Sequence, residues 1–216
     1  MIRPVMYTLF YYPRNASLAP HFVLEALKVP YQLELVDRKK HAQKSAQYLR
    51  LNPTGRIPTL VDDEFVLFES GAICLYLAEK HPESQLIPTD PVQKGVFYQW
   101  LMYFTTTIQA ELMIYFYPER HTQSALMYDD IIKTQQTRLT DMFTIVNRHL
   151  SGKNYVVNEQ FTICDCYLFM LCIWADELNT PPLQFEYLAK YLREMAKHPV
   201  IKQVCETEQT DLSPYK

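Results

Sequence analysis

The chain has 216 residues, 48% of them hydrophobic and 21% charged, with a net charge of −3. That length permits one large or two small well-buried domains, and the balance is ordinary for a globular protein. The charge leaves no basic footprint for nucleic acid, and no apolar run approaches the roughly 20 residues of a membrane span.

The N-terminus, MIRPVMYTLFYYP, lacks the apolar core and small-residue cleavage site of a signal peptide. Its VMYTLF stretch (Val5–Phe10) is predicted to be a strand. SLAPHFVLEALK reads as a helix, and YQLELV (Tyr31–Val36) alternates in period two as a second strand. A polar, helix-tolerant segment follows to Leu51. TLV and FVLF then flank Asp62-Asp63-Glu64 as a hairpin, and ESGAICLYLAEKHP supplies a helix stopped by Pro82. The order is βαβ followed by ββα, and the first unit requires a parallel pair joined by a right-handed crossover.

Beyond SQLIPTDP the pattern is helical throughout. Phe97, Leu101, Phe104, Ile108 and Leu112 recur at helical spacing, and Ile131 to Leu150 carries another stripe ending at Gly152, where a left-handed cap is expected. FTICDCYLFMLCIWADEL is apolar nearly all round and is predicted to be the central helix. FEYLAKYLREMAKHP is amphipathic and ends at Pro199. These elements divide the chain into an α/β domain over residues 1–83, a linker over 84–90 and an all-α domain over 91–216.

Five cysteines (Cys74, Cys164, Cys166, Cys172, Cys205) form no zinc or redox spacing and read as buried reduced thiols of a cytosolic protein. No metal is expected. Four short stretches carry chemistry. In YYPRNASLAPHF a strand meets a helix whose first N–H groups and positive dipole end suit an anion, a thiolate included; Asn15 or Ser17 is a candidate cap. In NPTGRIPTL a proline, Pro58, stands where a strand would want a backbone donor. In FESGAI, Glu69 and Ser70 open a helix, one able to pair with an ammonium and the other, with its neighbouring N–H groups, to hold a carboxylate. Thr162 and Asp165 have capping-box spacing, and their reading is structural.

In order and spacing, SLAPHFVLEAL, LNPTGRIPTLVDD, FESGAICLYLAEKHP and FTICDCYLF resemble the glutathione S-transferase family across nearly the whole chain, most like its bacterial beta-type members. The resemblance implies a thioredoxin-like N-terminal domain, an all-helical C-terminal domain, and glutathione as co-substrate. It implies a cis Ile57-Pro58 bond, with the Ile57 backbone pairing to glutathione like an added strand. Glu69 and Ser70 would take the γ-glutamyl end, and Lys39, Lys40 or Arg56 the glycyl carboxylate. It further implies a cytoplasmic homodimer acting on small hydrophobic electrophiles, with Phe104, Gln109, Tyr115 and Tyr117 as candidates for the electrophile pocket.

The pattern is broken at three positions. Beta-type enzymes carry a cysteine at the junction, where this chain has Ala16. Their asparagine and histidine in the helical domain match Met102 and Gln109 here. Mixed-disulfide chemistry at the junction is therefore closed, and activation of the glutathione thiolate by hydrogen bonding remains. Ser17 is the first candidate donor, Tyr11 the second and Asn15 the third. Alternatives on the same fold are glutathione-dependent isomerisation, dehalogenation or peroxide reduction, and a binding module without catalysis.

Overall fold

The computed structural model describes residues 6–157 and 159–216, so Val5 of the expected first strand lies outside the described residues. Packing separates two compact units. One runs through Ile87 and also includes His198–Leu212; the other is Pro88–Lys197 with Ser213–Lys216.

The first unit is built on a four-stranded sheet of order β2-β1-β3-β4. β1 (Tyr7–Tyr11) lies parallel to β2 (Tyr31–Leu35), and α1 (Leu18–Leu27) makes the crossover. β3 (Thr59–Asp62) runs antiparallel to β1 and turns through left-handed Asp63 into β4 (Phe65–Phe68). α2 (Ala46–Leu51) precedes β3, and α3 (Ser70–Lys80) follows β4 and packs on α1. Tyr7 and Leu9 are buried while Thr8 and Phe10 are half-buried, as the period of a strand with one core face demands. The expected βαβ–ββα order is therefore present.

The other unit is helical. α4 (Pro91–Met102) is capped by the Asp90 carboxylate, which accepts from the Val92 and Gln93 N–H groups. It continues through a wider π-helical turn (Tyr103–Ile108) into α5 (Gln109–Phe116). There the Thr105 and Thr106 hydroxyls donate to the Leu101 and Met102 carbonyls, at 2.9 and 2.8 Å. α6 (Tyr128–His149) packs against α5, and α7 (Ile163–Trp174) is the buried centre, every residue from Ile163 to Ile173 lying inside. The Thr162–Asp165 box forms: the Asp165 carboxylate accepts from the Thr162 N–H at 2.8 Å.

Two boundaries differ from the sequence expectation. Gly152 is left-handed, but α6 is capped earlier, at Leu150, so the glycine shapes the following turn. Pro199 ends the run after α8 (Glu186–Met195) and is also the first residue of a further helix, α9 (Pro199–Thr207). Proline stops one helix and starts the next because a first-turn N–H has no helical partner to lose. α9 packs on α1 and buries Ile201, Val204 and Cys205.

Candidate functional site

Strand register gathers three of the singled-out stretches at one end of the sheet. Thr59 pairs with Phe10 on one side and Phe68 on the other. The junction after β1, Pro58 before β3 and Glu69 after β4 therefore leave from the same row.

The middle of this row is held by a buried asparagine that the sequence reading passed over. Asn52 Nδ2 donates to the Arg56 carbonyl at 2.9 Å and the Pro58 carbonyl at 3.3 Å, while its Oδ1 accepts from the Thr54 N–H and hydroxyl. The Tyr48 hydroxyl also donates to the Arg56 carbonyl, at 2.7 Å. The carbonyls on either side of Ile57 are thus fixed. Ile57's own N–H and C=O make no hydrogen bond among the described residues, although the residue is only 7% exposed. A nearly buried peptide group left unpaired costs about 1–3 kcal/mol, so this one is set out for a partner. The Ile57-Pro58 bond is cis. Gly55, at φ +60°, allows the loop to close, because a side chain there would meet Lys44 Nζ and the Gln43 carbonyl.

At the next position along the row, Glu69 is exposed and holds φ 72°, ψ 112°, a backbone conformation that L-residues rarely take. It precedes Ser70, which is buried as the first residue of α3. The first-turn N–H groups of a helix have no acceptor within the helix itself, and they lie at its positive dipole end.

The junction after β1 turns through left-handed Arg14. Asn15 Oδ1 accepts from the Ala16 N–H at 2.8 Å, which places Nδ2 at the other end of the amide as a donor. Ser17 stands at the N-cap position of α1, yet its backbone is already helical and its side chain caps nothing. Instead the fully buried hydroxyl donates to the Tyr12 carbonyl and accepts from the Tyr12 N–H. Ala16 offers no reactive atom. Tyr11 is half-buried, its ring edge-on to His21 with centroids 6.4 Å apart. Burial, and then the charge of Glu208, push its phenol above the ordinary range, so it is a protonated donor at neutral pH. All five cysteines are buried, and burial raises the thiols of Cys74, Cys164, Cys172 and Cys205. Those four therefore stay protonated at neutral pH.

The remaining candidates are more dispersed. Lys39, Lys40 and Arg56 are exposed, and Lys40 Nζ lies 3.5 Å from Asp37. Lys44, which the sequence reading did not single out, sits beside Gly55 with Nζ 3.4 Å from the Thr54 carbonyl. In the helical unit Phe104 is wholly buried against Trp100 and Tyr103. Gln109 Oε1 accepts from the Tyr167 hydroxyl at 2.6 Å, and Tyr115 is half-buried beside Phe116. The Tyr117 ring lies 3.8 Å from the Arg120 guanidinium. Among the described residues no helix is long and apolar enough to cross a membrane.

Comparison with known proteins agrees with this geometry. The glutathione S-transferase N-terminal domain matches residues 5–79 and the C-terminal domain matches residues 106–199. Glutathione S-transferase GstA of Escherichia coli O157:H7 is 30% identical over 203 residues, covering 93% of this chain and 98% of the relative. A glutathione transferase homologue from Sulfitobacter, solved with bound glutathione, superposes with a TM-score of 0.88 at 26% identity, covering 94% of this chain and 98% of that one. The beta-class glutathione S-transferase of Sphingomonas chungbukensis shares the fold, with a TM-score of 0.82 at 23% identity over 94% of this chain and all of its own. With both domain models matched in order, and the cis-proline loop and the α3 start at one sheet end, the chain belongs to the glutathione S-transferase family.

Proposed function

We propose that this protein is a glutathione transferase that joins the glutathione thiolate to small apolar electrophiles. The observation that carries the reading is the Ile57 peptide, unpaired between two fixed carbonyls on the row that also bears the α1 and α3 starts. Glutathione's cysteinyl unit is assigned to the Ile57 N–H and C=O, its γ-glutamyl end to Glu69 and Ser70, and its glycyl carboxylate to Lys40 or Arg56, with Lys44 added by its place beside Gly55. Bound glutathione in the Sulfitobacter homologue supports the assignment.

The thiol must lose its proton before it attacks. An ordinary thiol titrates near 8.5, and lowering that by about two units takes roughly 2.7 kcal/mol of preference for the thiolate. One charge-assisted hydrogen bond and the helix start are of that order. Three donors remain candidates, Ser17, Tyr11 and Asn15. Because the Ser17 hydroxyl is already directed to Tyr12, Tyr11 and the Asn15 amide take precedence. The thiol proton leaves to solvent, sulfur forms its bond to the electrophilic carbon, and the leaving group departs with the electron pair. The electrophile is assigned to Gln109 and Tyr115 of the helical unit, with Phe104 supporting that helix from within. The family pattern further assigns the working form to a cytoplasmic homodimer.

The test is the ultraviolet absorbance of bound glutathione thiolate against pH, in the native protein, Tyr11→Phe, Asn15→Ala and Ser17→Ala. A native transition well below that of free glutathione supports activation, and the variant that raises it names the donor. Saturable binding without a depressed transition would sink the transferase reading and leave a binding module. Isomerisation, dehalogenation or peroxide reduction would use the same thiolate, and a substrate panel separates them from conjugation.

A further inference from the structure

Residues 198–212 lie more than 100 positions from the glutathione loop in sequence, yet they pack within the first unit. α9 is capped at Glu208, whose N–H donates to the Val204 carbonyl, and left-handed Gln209 lets the Thr210 N–H reach the Cys205 carbonyl at 2.8 Å. This is a helix stop of the kind that reverses the chain and fixes the last side chains. It holds Glu208 inside the protein, 3% exposed.

There the carboxylate meets a fully buried histidine. Glu208 Oε1 lies 2.7 Å from His21 Nδ1, while His21 Nε2 lies 3.1 Å from the Tyr31 hydroxyl, which donates to Glu25. The imidazole is therefore held at both nitrogens and cannot turn without breaking a contact. The His21 N–H donates to the Ser17 carbonyl, so the same residue ties down the first turn of α1. The edge-on ring of Tyr11 rests against this fixed imidazole. Glu208 Oε2 is buried without a hydrogen-bond partner, so the pair keeps an unsatisfied acceptor that simple stabilisation does not call for. The titratable groups facing one another here are Tyr11, His21, Glu25, Tyr31, Cys205 and Glu208.

We propose that Glu208, acting through His21, positions Tyr11 against the glutathione thiolate, making the turn after α9 a working part of that site. Glu208 is a positioning residue: it contacts His21, and His21 backs the phenol. The inference rests on the thiolate reading above and names a residue that acts on it from the far end of the sequence.

The sign of one shift tests it. Removing a nearby carboxylate charge would by itself favour the thiolate and lower the bound thiol's transition. Losing the phenol's support would raise it. Glutathione affinity by calorimetry and thiolate absorbance against pH are measured for the native protein, Glu208→Gln, Glu208→Asp, Tyr11→Phe and the Glu208→Gln/Tyr11→Phe double variant. The expected result is an upward move in Glu208→Gln, equivalent to about three- to tenfold less thiolate at a pH below the transition. Affinity changes less than about twofold, Glu208→Asp moves less in the same direction, and Glu208→Gln has no further effect once Tyr11 is Phe. Should Glu208→Gln fail to fold, Glu208→Asp reads the same sign. A downward shift, an unmoved transition with only a lower melting temperature, or full additivity with Tyr11→Phe overturns the proposal. A native protein that binds glutathione without a depressed transition fails the thiolate reading itself, and that result is visible before any variant is compared.

Discussion

The Ser17 hydroxyl and the Tyr12 peptide hold each other from both sides, the hydroxyl donating to the Tyr12 carbonyl at 3.2 Å and accepting from the Tyr12 N–H at 3.3 Å. A serine so engaged closes the junction between β1 and α1. Ser17→Ala is expected to lower stability by about 1–2 kcal/mol in urea unfolding, since two buried backbone groups lose a partner. The bound thiolate transition should stay within about 0.3 pH unit of the native value. A larger upward move would return Ser17 to the role of thiolate donor.

Asn52 carries a heavier share of the cis-proline loop. Asn52→Ala leaves the Pro58 carbonyl without its side-chain donor and removes one of two donors from the Arg56 carbonyl. Stability should drop by about 2–3 kcal/mol, and glutathione should bind at least about tenfold more weakly as the Ile57 peptide loses its setting. The thiolate transition of whatever glutathione remains bound should be nearly native. Calorimetry and absorbance on the same sample separate the two effects.

Asp165 is fully buried and accepts from the Val156 N–H, the Thr162 N–H and hydroxyl, and the Tyr191 hydroxyl. Asp165→Ala orphans these donors at the head of the central helix, and a loss of about 3–5 kcal/mol is expected. Tyr191→Phe removes a donor and strands none, so about 1 kcal/mol is expected there. Equal losses in the two variants would refute this account of the helix start.

His149 stacks on Trp100 with ring centroids 4.0 Å apart, and its Nε2 lies 2.7 Å from the Val156 carbonyl. Burial holds its imidazole below the ordinary histidine range, and the bond to Val156 offsets only part of this. A base with a lowered folded-state pKa contributes stability above its unfolded value near 6.5, and that contribution is lost as pH falls through the folded value. Unfolding free energy should therefore decline below neutrality. Burial lowers His198 in the same direction, so His149→Gln should flatten the slope without abolishing it. An unchanged slope in that variant would rule His149 out as the titrating group.

Much of this architecture was readable from local pattern. Period-two strands, the proline beside Ile57 and the Glu69-Ser70 helix start each act over a few residues, and each lies where those residues indicate. Ser17 stands at the N-cap position its residue type suggests, but its side chain reaches back five residues to Tyr12, a choice that propensity for capping does not express. Asn52 looks like a turn residue in sequence, and its hold on Arg56 and Pro58 emerges only when the loop closes. Glu208 was the least legible. It follows a helix masked by Pro199, and its partner, His21, stands 187 residues away.

That separation also bears on how the protein is made. Leu18 to Leu24 of α1 are all buried, and α9, which packs on this helix, is synthesised only after residues 88–197 of the other unit. A ribosome that has released residues 1–87 has delivered the four strands of the sheet and α3, but not α9, the second helix that packs on α1. The first unit must therefore wait, with apolar surface of α1 open to water, while residues 88–197 emerge. A nascent chain cut anywhere before residue 198 should expose α1 to chaperones and proteases.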